Sequence, residues 1–250
     1  MLSGTAIVLT RPALQAQEST RLIEAEGGRA IIFPALEIIA KAPDPADQCI
    51  LDAADIAIFI SANAVIYGLK YTALPSNLTL AAIGNATALA LTEAGYQNVI
   101  VPSQGFDSEA LLATKALQDV SGKCVAIFRG VGGRETLRNA LRQRGAKVEY
   151  IECYVRRRPD VAPDVVANLL ARADIAAIQV MSRETLENFC SMIGETGVAL
   201  LRHKPLFAPH PSILESARIL GFGEGILTGF GDAGLLVALQ QRFGPHHTNE

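Results

Sequence analysis

Gln104-Gly105-Phe106-Asp107-Ser108-Glu109-Ala110-Leu111-Leu112 reads against Thr228-Gly229-Phe230-Gly231-Asp232-Ala233-Gly234-Leu235-Leu236. The match does not stand alone. Ile58-Phe59-Ile60-Ser61-Ala62-Asn63 reads against Ile178-Gln179-Val180-Met181-Ser182-Arg183, and Ala6-Ile7-Val8-Leu9-Thr10-Arg11 against Val125-Ala126-Ile127-Phe128-Arg129-Gly130. Matching the identical residues, Gly105 with Gly229, Ser61 with Ser182 and Arg11 with Arg129, gives offsets of 124, 121 and 118 residues. A nearly constant offset implies two similar units in one polypeptide. Two matched lobes make a cleft, and a cleft is a common place for a small-molecule site.

The chain has 250 residues, enough for one large domain or two small ones. The repeat decides for two, each near the usual domain size. Within each, short apolar runs alternate with amphipathic stretches of helical period, the pattern of βαβ units and parallel sheets. Strands are expected at 5–10, 55–60, 78–83, 98–101, 123–128, 174–181, 204–208 and 225–227. Helices are expected at 12–26, 62–71, 85–95, 107–119, 132–144, 162–171, 183–193, 210–220 and 231–242. Glycines at 27–28, 95, 145 and 221 follow the ends of four of them, where a C-terminal cap prefers glycine.

Two segments break the alternation. Residues 29–41 and 147–158 are extended, apolar-rich and followed by Pro43 and Pro159. They read as two long strands that pair with each other and bridge the lobes. The fold class is therefore α/β, with two similar parallel-sheet lobes joined by a two-stranded ladder and the chain crossing between lobes twice. Residues 1–33 and 158–250 form one lobe, 42–146 the other, and 34–41 with 147–157 the bridge, a natural hinge.

Composition excludes several function classes. A net charge of −3 gives no basic field for nucleic acid. No apolar run is long enough to cross a membrane, and the first residues do not read as a signal peptide. Cys49, Cys124, Cys153 and Cys190 are scattered without a Cys-x-x-Cys, as in a reduced cytosolic protein. His203, His210, His246 and His247 form no ligand pattern, and the last two lie in a polar tail expected to fray. No metal or redox site is expected from this spacing.

The groups able to do chemistry lie where strands end and helices begin. Ser61-Ala62-Asn63, Asn85 to Thr87 and Ser103 to Ser108 stand there in one lobe, with Asp107 or Ser108 as a candidate cap. Ser182-Arg183 and Pro211-Ser212 take the matching places in the other. A helix start exposes free N–H groups and a positive dipole end, suited to carboxylates or phosphates. Each of these residues taken singly reads first as an ordinary N-cap. Their clustering on the strand C-terminal edge points to a binding cleft.

Arg129-Gly130-Val131-Gly132-Gly133-Arg134 is a glycine-rich strand-to-helix turn able to cradle an anion through backbone N–H groups. It is neither a Walker loop nor a dinucleotide fingerprint. Arg129 and Arg134 are candidates to pair with carboxylates bidentately. Arg138 and Arg142 read as solvated helix-face residues, and Arg156-Arg157-Arg158 as a solvated hinge. Tyr154, in the second bridging strand, either directs its phenol into the cleft or packs across the ladder near Phe33 or Leu36, the commoner use of such an aromatic. There is no Ser/His/Asp constellation, no nucleophile elbow and no carboxylate pair at helix spacing. An enzyme with this inventory works by binding and shaping a reactive substrate.

The set as a whole resembles the uroporphyrinogen-III synthase family. The resemblance runs through Val8-Leu9-Thr10-Arg11-Pro12, Phe59-Ile60-Ser61-Ala62-Asn63-Ala64-Val65, Ile83-Gly84-Asn85-Ala86-Thr87-Ala88, the turn from Arg129 to Arg134 with Leu137 and Leu141, and Tyr154-x-Arg156. It implies a cytosolic, monomeric lyase that acts without cofactor on hydroxymethylbilane, an open-chain tetrapyrrole bearing eight carboxylates. Loss of its hydroxyl as water gives an azafulvene-like cation. Ring D attacks through its substituted carbon to a spiro intermediate, and reopening and reclosure yield uroporphyrinogen III with ring D inverted. The resemblance makes Tyr154 the catalytic candidate, assisting departure of the hydroxyl. Candidate substrate contacts are Arg11, Ser61, Ala62, Asn63, Asn85, Thr87, Arg129, Gly130, Ser182 and Ser212. Phe207-Ala208-Pro209-His210-Pro211-Ser212 departs from the family's usual Ile-Gly-Pro-x-Thr-Ala turn, and Asn63 stands where some members carry a basic residue. A non-catalytic sensor of an acidic tetrapyrrole is the alternative. A flavodoxin-like nucleotide binder is a third reading, disfavoured by the absent phosphate loop.

Overall fold

The computed structural model describes residues 1–105 and 107–244; Phe106 and the tail with His246 and His247 lie outside the described residues. The chain divides into two compact units, one of Met1–Glu37 with Arg157–Glu250 and the other of Ile38–Arg156. It therefore leaves the first unit, completes the second and returns.

The first unit opens with β1 (Ala6–Leu9), a short 3-10 turn (Ala13–Ala16), α1 (Gln17–Ala25) and β2 (Arg29–Ile32). The second carries β3 (Glu37–Ala40), α2 (Asp47–Asp52), β4 (Ile56–Phe59), α3 (Ala62–Gly68), β5 (Thr79–Ala82) and α4 (Asn85–Glu93). It continues through α5 (Ser108–Leu112), α6 (Lys115–Gln118), β6 (Cys124–Gly130), α7 (Thr136–Gln143) and β7 (Lys147–Arg157). The chain then finishes the first unit with α8 (Pro163–Leu170), β8 (Ile175–Gln179), α9 (Arg183–Leu201), β9 (Leu206–Ala208), α10 (Pro211–Ile219), β10 (Gly225–Leu227) and α11 (Gly231–Phe243).

Each unit holds a five-stranded sheet, in the order β10-β9-β8-β1-β2 for the first and β3-β7-β6-β4-β5 for the second. The repeat is written into the registers. Ala6 pairs with Arg29 and Cys124 with Lys147, both 23 residues apart and both parallel. Leu206 pairs with Gly225 and Ala81 with Ile100, both 19 apart. Hence β1 corresponds to β6, β2 to β7, β8 to β4 and β9 to β5.

The central strands read as unbroken apolar runs because both faces are covered. In β4, Ala57 and Phe59 join the core cluster on one face, and Ile56 and Ile58 the cluster on the other. β6 does the same with Ala126 and Phe128 against Val125 and Ile127. Phe59 and Phe128 stack with ring centroids 4.2 Å apart. In the first unit Val8, Ile178 and Leu206 face one cluster, and Ile7, Leu9 and Phe207 the other.

Several boundaries differ from expectation. The stretch 29–41 is not one strand: β2 ends at Ile32, and β3 lies beside β7 in the other sheet. Pro34 explains the break, since it offers no N–H to a ladder. The expected strand at 98–101 is reduced to the single bridge between Ala81 and Ile100. The helix expected over 107–119 is two short helices, α5 and α6. The one expected at 132–144 begins only at Thr136, because Gly132 and Gly133 take positive φ. The helix expected to end at 193 does break there, with Gly194 at φ 68°, but a second helical stretch runs on to Leu201. The short α2 has no counterpart among the expected helices, since six residues are too few to show a helical period.

Candidate functional site

In the unit Ile38–Arg156, the strand C-terminal edge collects eight of the candidates: Ser61, Ala62, Asn63, Asn85, Thr87, Arg129, Gly130 and Tyr154. Ser61 is the N-cap of α3: its Oγ accepts the Ala64 N–H at 3.0 Å. The same Oγ lies 3.1 Å from the Tyr154 hydroxyl, and either oxygen is able to donate. Tyr154 is only 6% exposed. Its ring leans on Tyr67 at 5.9 Å between centroids, and Tyr67 is itself pinned by a 2.8 Å hydrogen bond to the Ile38 carbonyl. Tyr154 packs in the core of its own unit with Phe59 and Phe128. Its phenol reaches a helix start.

Gly130 makes that placement possible. A Cβ there would meet Tyr154 Cε2 at 2.5 Å and Cζ at 2.8 Å. The backbone beside it is held by the Val131 N–H donating to the Tyr154 carbonyl at 2.9 Å. Ala62 and Asn63 occupy the first turn of α3, half-buried. Asn85 is the exposed first residue of α4, and Thr87 is buried in the same first turn. The N-cap of α4 is Gly84, with no side-chain cap bond.

The turn after β6 is organised round its own cation. Arg129 is buried, donates from Nε to the Gly130 carbonyl at 3.2 Å, from Nη2 to the Gly132 carbonyl, and from Nη1 to Glu135 at 3.1 Å. The turn expected as an anion cradle thus aims carbonyls inward at this guanidinium. Of the five N–H donors of an arginine, two have no partner among the described residues. Tyr150 lies under Arg129 at 4.3 Å and donates its hydroxyl to Glu135 at 2.9 Å. That bond, followed by Arg129 and Arg138, holds the Glu135 carboxyl below the usual range. Burial, then Glu135, pushes the Tyr150 phenol up. Beneath Tyr154, burial drives the Cys153 thiol up to about 12, so it stays protonated and unreactive.

The unit Met1–Glu37 with Arg157–Glu250 repeats the theme. Ser182 caps α9 by accepting the Thr185 N–H at 3.1 Å, and its Oγ lies 2.8 Å from the Thr185 hydroxyl. Arg11 is tied to Asp232 and donates to Ser19 Oγ at 3.0 Å. Its Nε is buried with no partner among the described residues, as is Gln179 Oε1. Ser212 does not cap α10. His210 does, with Nδ1 accepting the Ser212 N–H at 3.1 Å. A nitrogen that accepts there carries no proton, so in the 2.7 Å contact the Ser212 hydroxyl is the donor. That hydroxyl is turned back onto the imidazole.

Sequence reasoning missed Tyr67, Glu135, Asp232 and the His210 cap. Asp232 stands within the quoted repeat, and Glu135 directly follows the glycine-rich turn; only their spatial partners are hidden in the sequence. Among the described residues no group of three or more His, Cys, Asp or Glu could hold a metal, and no helix is long and apolar enough to cross a membrane.

A duplicated, doubly wound α/β frame with hydroxyl groups at its strand ends belongs to the α/β proteins that bind small molecules at that edge. The family model for uroporphyrinogen-III synthase HemD matches residues 17–227. The uroporphyrinogen-III synthase of Escherichia coli strain K12 is 32% identical over 199 residues, 75% of this chain and 80% of that protein. The one from Synechococcus elongatus is 31% identical over 202 residues, 77% and 76% of the two. Among solved structures, uroporphyrinogen-III synthetase from Helicobacter pylori 26695 shares the fold with a TM-score of 0.65, covering 95% of this chain and 100% of that one at 15% identity. The chain belongs to the uroporphyrinogen-III synthase family, enzymes of tetrapyrrole biosynthesis.

Proposed function

We propose that this chain converts hydroxymethylbilane to uroporphyrinogen III, with loss of water and inversion of ring D. The observation that carries the reading is the 3.1 Å contact between the Tyr154 phenol and Ser61 Oγ at the start of α3. The hydroxyl of the substrate leaves poorly unless a donor hydrogen-bonds it, and a positioned phenol is such a donor. When Ser61 donates to Tyr154, the phenolic proton is free to point at the leaving oxygen. The cation left behind closes unaided to the uninverted isomer, so the protein's main task is to hold one geometry.

Carboxylates of the substrate are met by backbone N–H groups at helix starts. In the unit with Tyr154 these are the first turns of α3 and α4, at Ala62, Asn63 and Asn85; the Thr87 N–H is given to the Gly84 carbonyl at 3.1 Å, which leaves Thr87 its hydroxyl. In the other unit the start of α9 at Ser182 is the counterpart. Gly130 seats the phenol, and Arg11 and Arg129 hold the strand ends while offering their remaining donors. Ser212, spent on His210, contributes least. The reading has the chain acting as a monomer in the cytosol on a small molecule rather than nucleic acid, supported by four free thiols and a net charge of −3.

The test is a coupled assay. Hydroxymethylbilane is generated in situ, the protein is added, and the oxidised isomer I and III uroporphyrins are separated by chromatography. Predominant isomer III, rising with protein concentration, is expected. Isomer I alone would refute the assignment.

A further inference from the structure

The repeat supplies an internal comparison between two equivalent places. At the strand ends of the unit Met1–Glu37 with Arg157–Glu250, Asp232 opens α11, and its Oδ1 accepts from both Arg11 and Ser19. The crevice bordered by Arg11, Gln179, Met181 and Asp232 measures about 10 Å³, room for no more than a water. The offset of 124 residues places Ser108 where that unit has Asp232, and the offset of 118 places Arg129 where it has Arg11. In the unit Ile38–Arg156 the same position is an open cavity of about 320 Å³. Ile60, Ile83, Ile127 and Leu137 line it with apolar surface, and Tyr150 and Arg129 border it. One unit has built in a carboxylate where the other has a short hydroxyl and space.

The charges round the cavity say what it lacks. Glu135 is taken by Tyr150 and Arg129, and Asp107 is taken as the cap of α5, accepting the Ala110 N–H at 2.8 Å. Arg134, exposed at the rim, makes no ion pair or hydrogen bond among the described residues. Glu109 is left as an acceptor. An apolar-sided cavity with one uncommitted guanidinium and one acceptor fits a flat ring that bears a carboxylate and an N–H.

We propose that this cavity takes one carboxyalkyl-substituted pyrrole ring of the linear tetrapyrrole, with Arg134 binding its carboxylate; the inference rests on the function proposed above. The volume stands at the lower end of ligand pockets, suited to a single ring rather than the whole chain of four. The cavity opens on the sheet face of Ile60 and Ile127, whereas Tyr154 packs with Phe59 and Phe128 on the opposite face. Arg134 is therefore a binding residue remote from the reacting carbon.

Two variants of the full chain test this. Ser108→Asp writes the first unit's carboxylate into the cavity, and an acidic residue in the first turn of α5 suits the helix dipole. Arg134→Gln removes the cation from an exposed position. Each is expected to raise KM for hydroxymethylbilane about tenfold, the order of one lost charge-assisted hydrogen bond, with kcat within twofold. Each should also weaken calorimetric binding of porphobilinogen, a monopyrrole carrying acetate and propionate groups, by a similar factor. Wild-type protein that makes isomer III, with KM and porphobilinogen affinity unmoved in both variants, would overturn the cavity assignment and leave the activity standing. Wild-type protein that makes only isomer I would overturn the activity. Porphobilinogen then decides alone: binding lost in both variants upholds a pyrrole-carboxylate site, and no binding to the wild type ends it.

Discussion

Replacing Gly130 by alanine adds one methyl group at the point where the Tyr154 ring crosses β6. The new Cβ would stand 2.5 Å from Cε2, 2.8 Å from Cζ and 3.0 Å from Cδ2, whereas ordinary contact begins at 3.4 Å. The ring must retreat by about 0.9 Å, the difference between the first and last of those distances. It has little room to do so. Tyr154 is 6% exposed and Tyr67 closes one side, itself pinned to Ile38. Overpacking of this kind costs about 1–3 kcal/mol. One term opposes it: alanine restricts the unfolded chain more than glycine, a gain of about 0.4–1 kcal/mol where the backbone φ suits any residue, as it does here. The clash wins, and a net loss of about 1–2 kcal/mol is expected in urea unfolding. Activity should suffer more, because a displacement near 1 Å of a positioned donor costs about a hundredfold in turnover. Isomer III formation measured at saturating hydroxymethylbilane gives kcat directly. A variant as stable as the wild type, turning over within twofold of it, would show that Gly130 does not seat the phenol.

Tyr154→Phe keeps the ring's packing and removes only the hydroxyl. It is expected to lower kcat at least tenfold while KM moves less than threefold, and steady-state kinetics that show an unchanged rate would return Tyr154 to a packing role. Ser61→Ala and Ser182→Ala each remove a helix cap worth about 1 kcal/mol, seen as equal shifts in urea midpoint. Only Ser61→Ala should also lower kcat, since Ser61 touches the Tyr154 phenol; equal kinetic losses would contradict that pairing. Cys153 has its thiol raised by burial from 9.0 to about 12. An acid whose folded pKa is raised favours folding below its unfolded value, so stability should fall as pH climbs from about 9 toward 12. Cys153→Ala should flatten that decline, and a pH profile identical to wild type would remove the thiol from the account.

How much of this was legible in the sequence follows the range of the interactions. The four central strands, β1, β4, β6 and β8, were readable because burial on both faces writes a plain apolar run. Edge elements were not. The strand around Ile100 shrank to a single bridge, and β2 parted from β3 at Pro34, a residue whose consequence the apolar pattern around it concealed. Caps were legible as serines at strand ends, since the bond from Ser61 to Ala64 spans three residues. Their further partners were not, because Ser61 meets Tyr154 across 93 residues and Arg11 meets Asp232 across 221. The His210 cap escaped notice because serine, not imidazole, is the residue that cap rules favour.

Comparing the two units with each other carries the site further than reading either alone. Ser61 and Ser182 are offset by 121 residues and make the same i to i+3 bond, so a capping hydroxyl at this place belongs to the frame and by itself says nothing of catalysis. Arg11 and Arg129 correspond too, each at a strand end and each bound to a carboxylate of its own unit. These shared features are what a duplicated α/β unit needs to finish its strands and start its helices. The offset of 118 carries Lys147 of β7 onto Arg29 of β2, as the matching pairs Cys124 with Lys147 and Ala6 with Arg29 require, and it carries Tyr154 onto Leu36. One copy has a buried leucine there and the other a phenol hydrogen-bonded to the cap serine. A leucine would satisfy the same packing without a polar atom to accommodate, and a buried hydroxyl is costly unless it finds a partner. The phenol is therefore the departure from the shared frame that packing does not explain, and it is where the chemistry of this chain is to be sought.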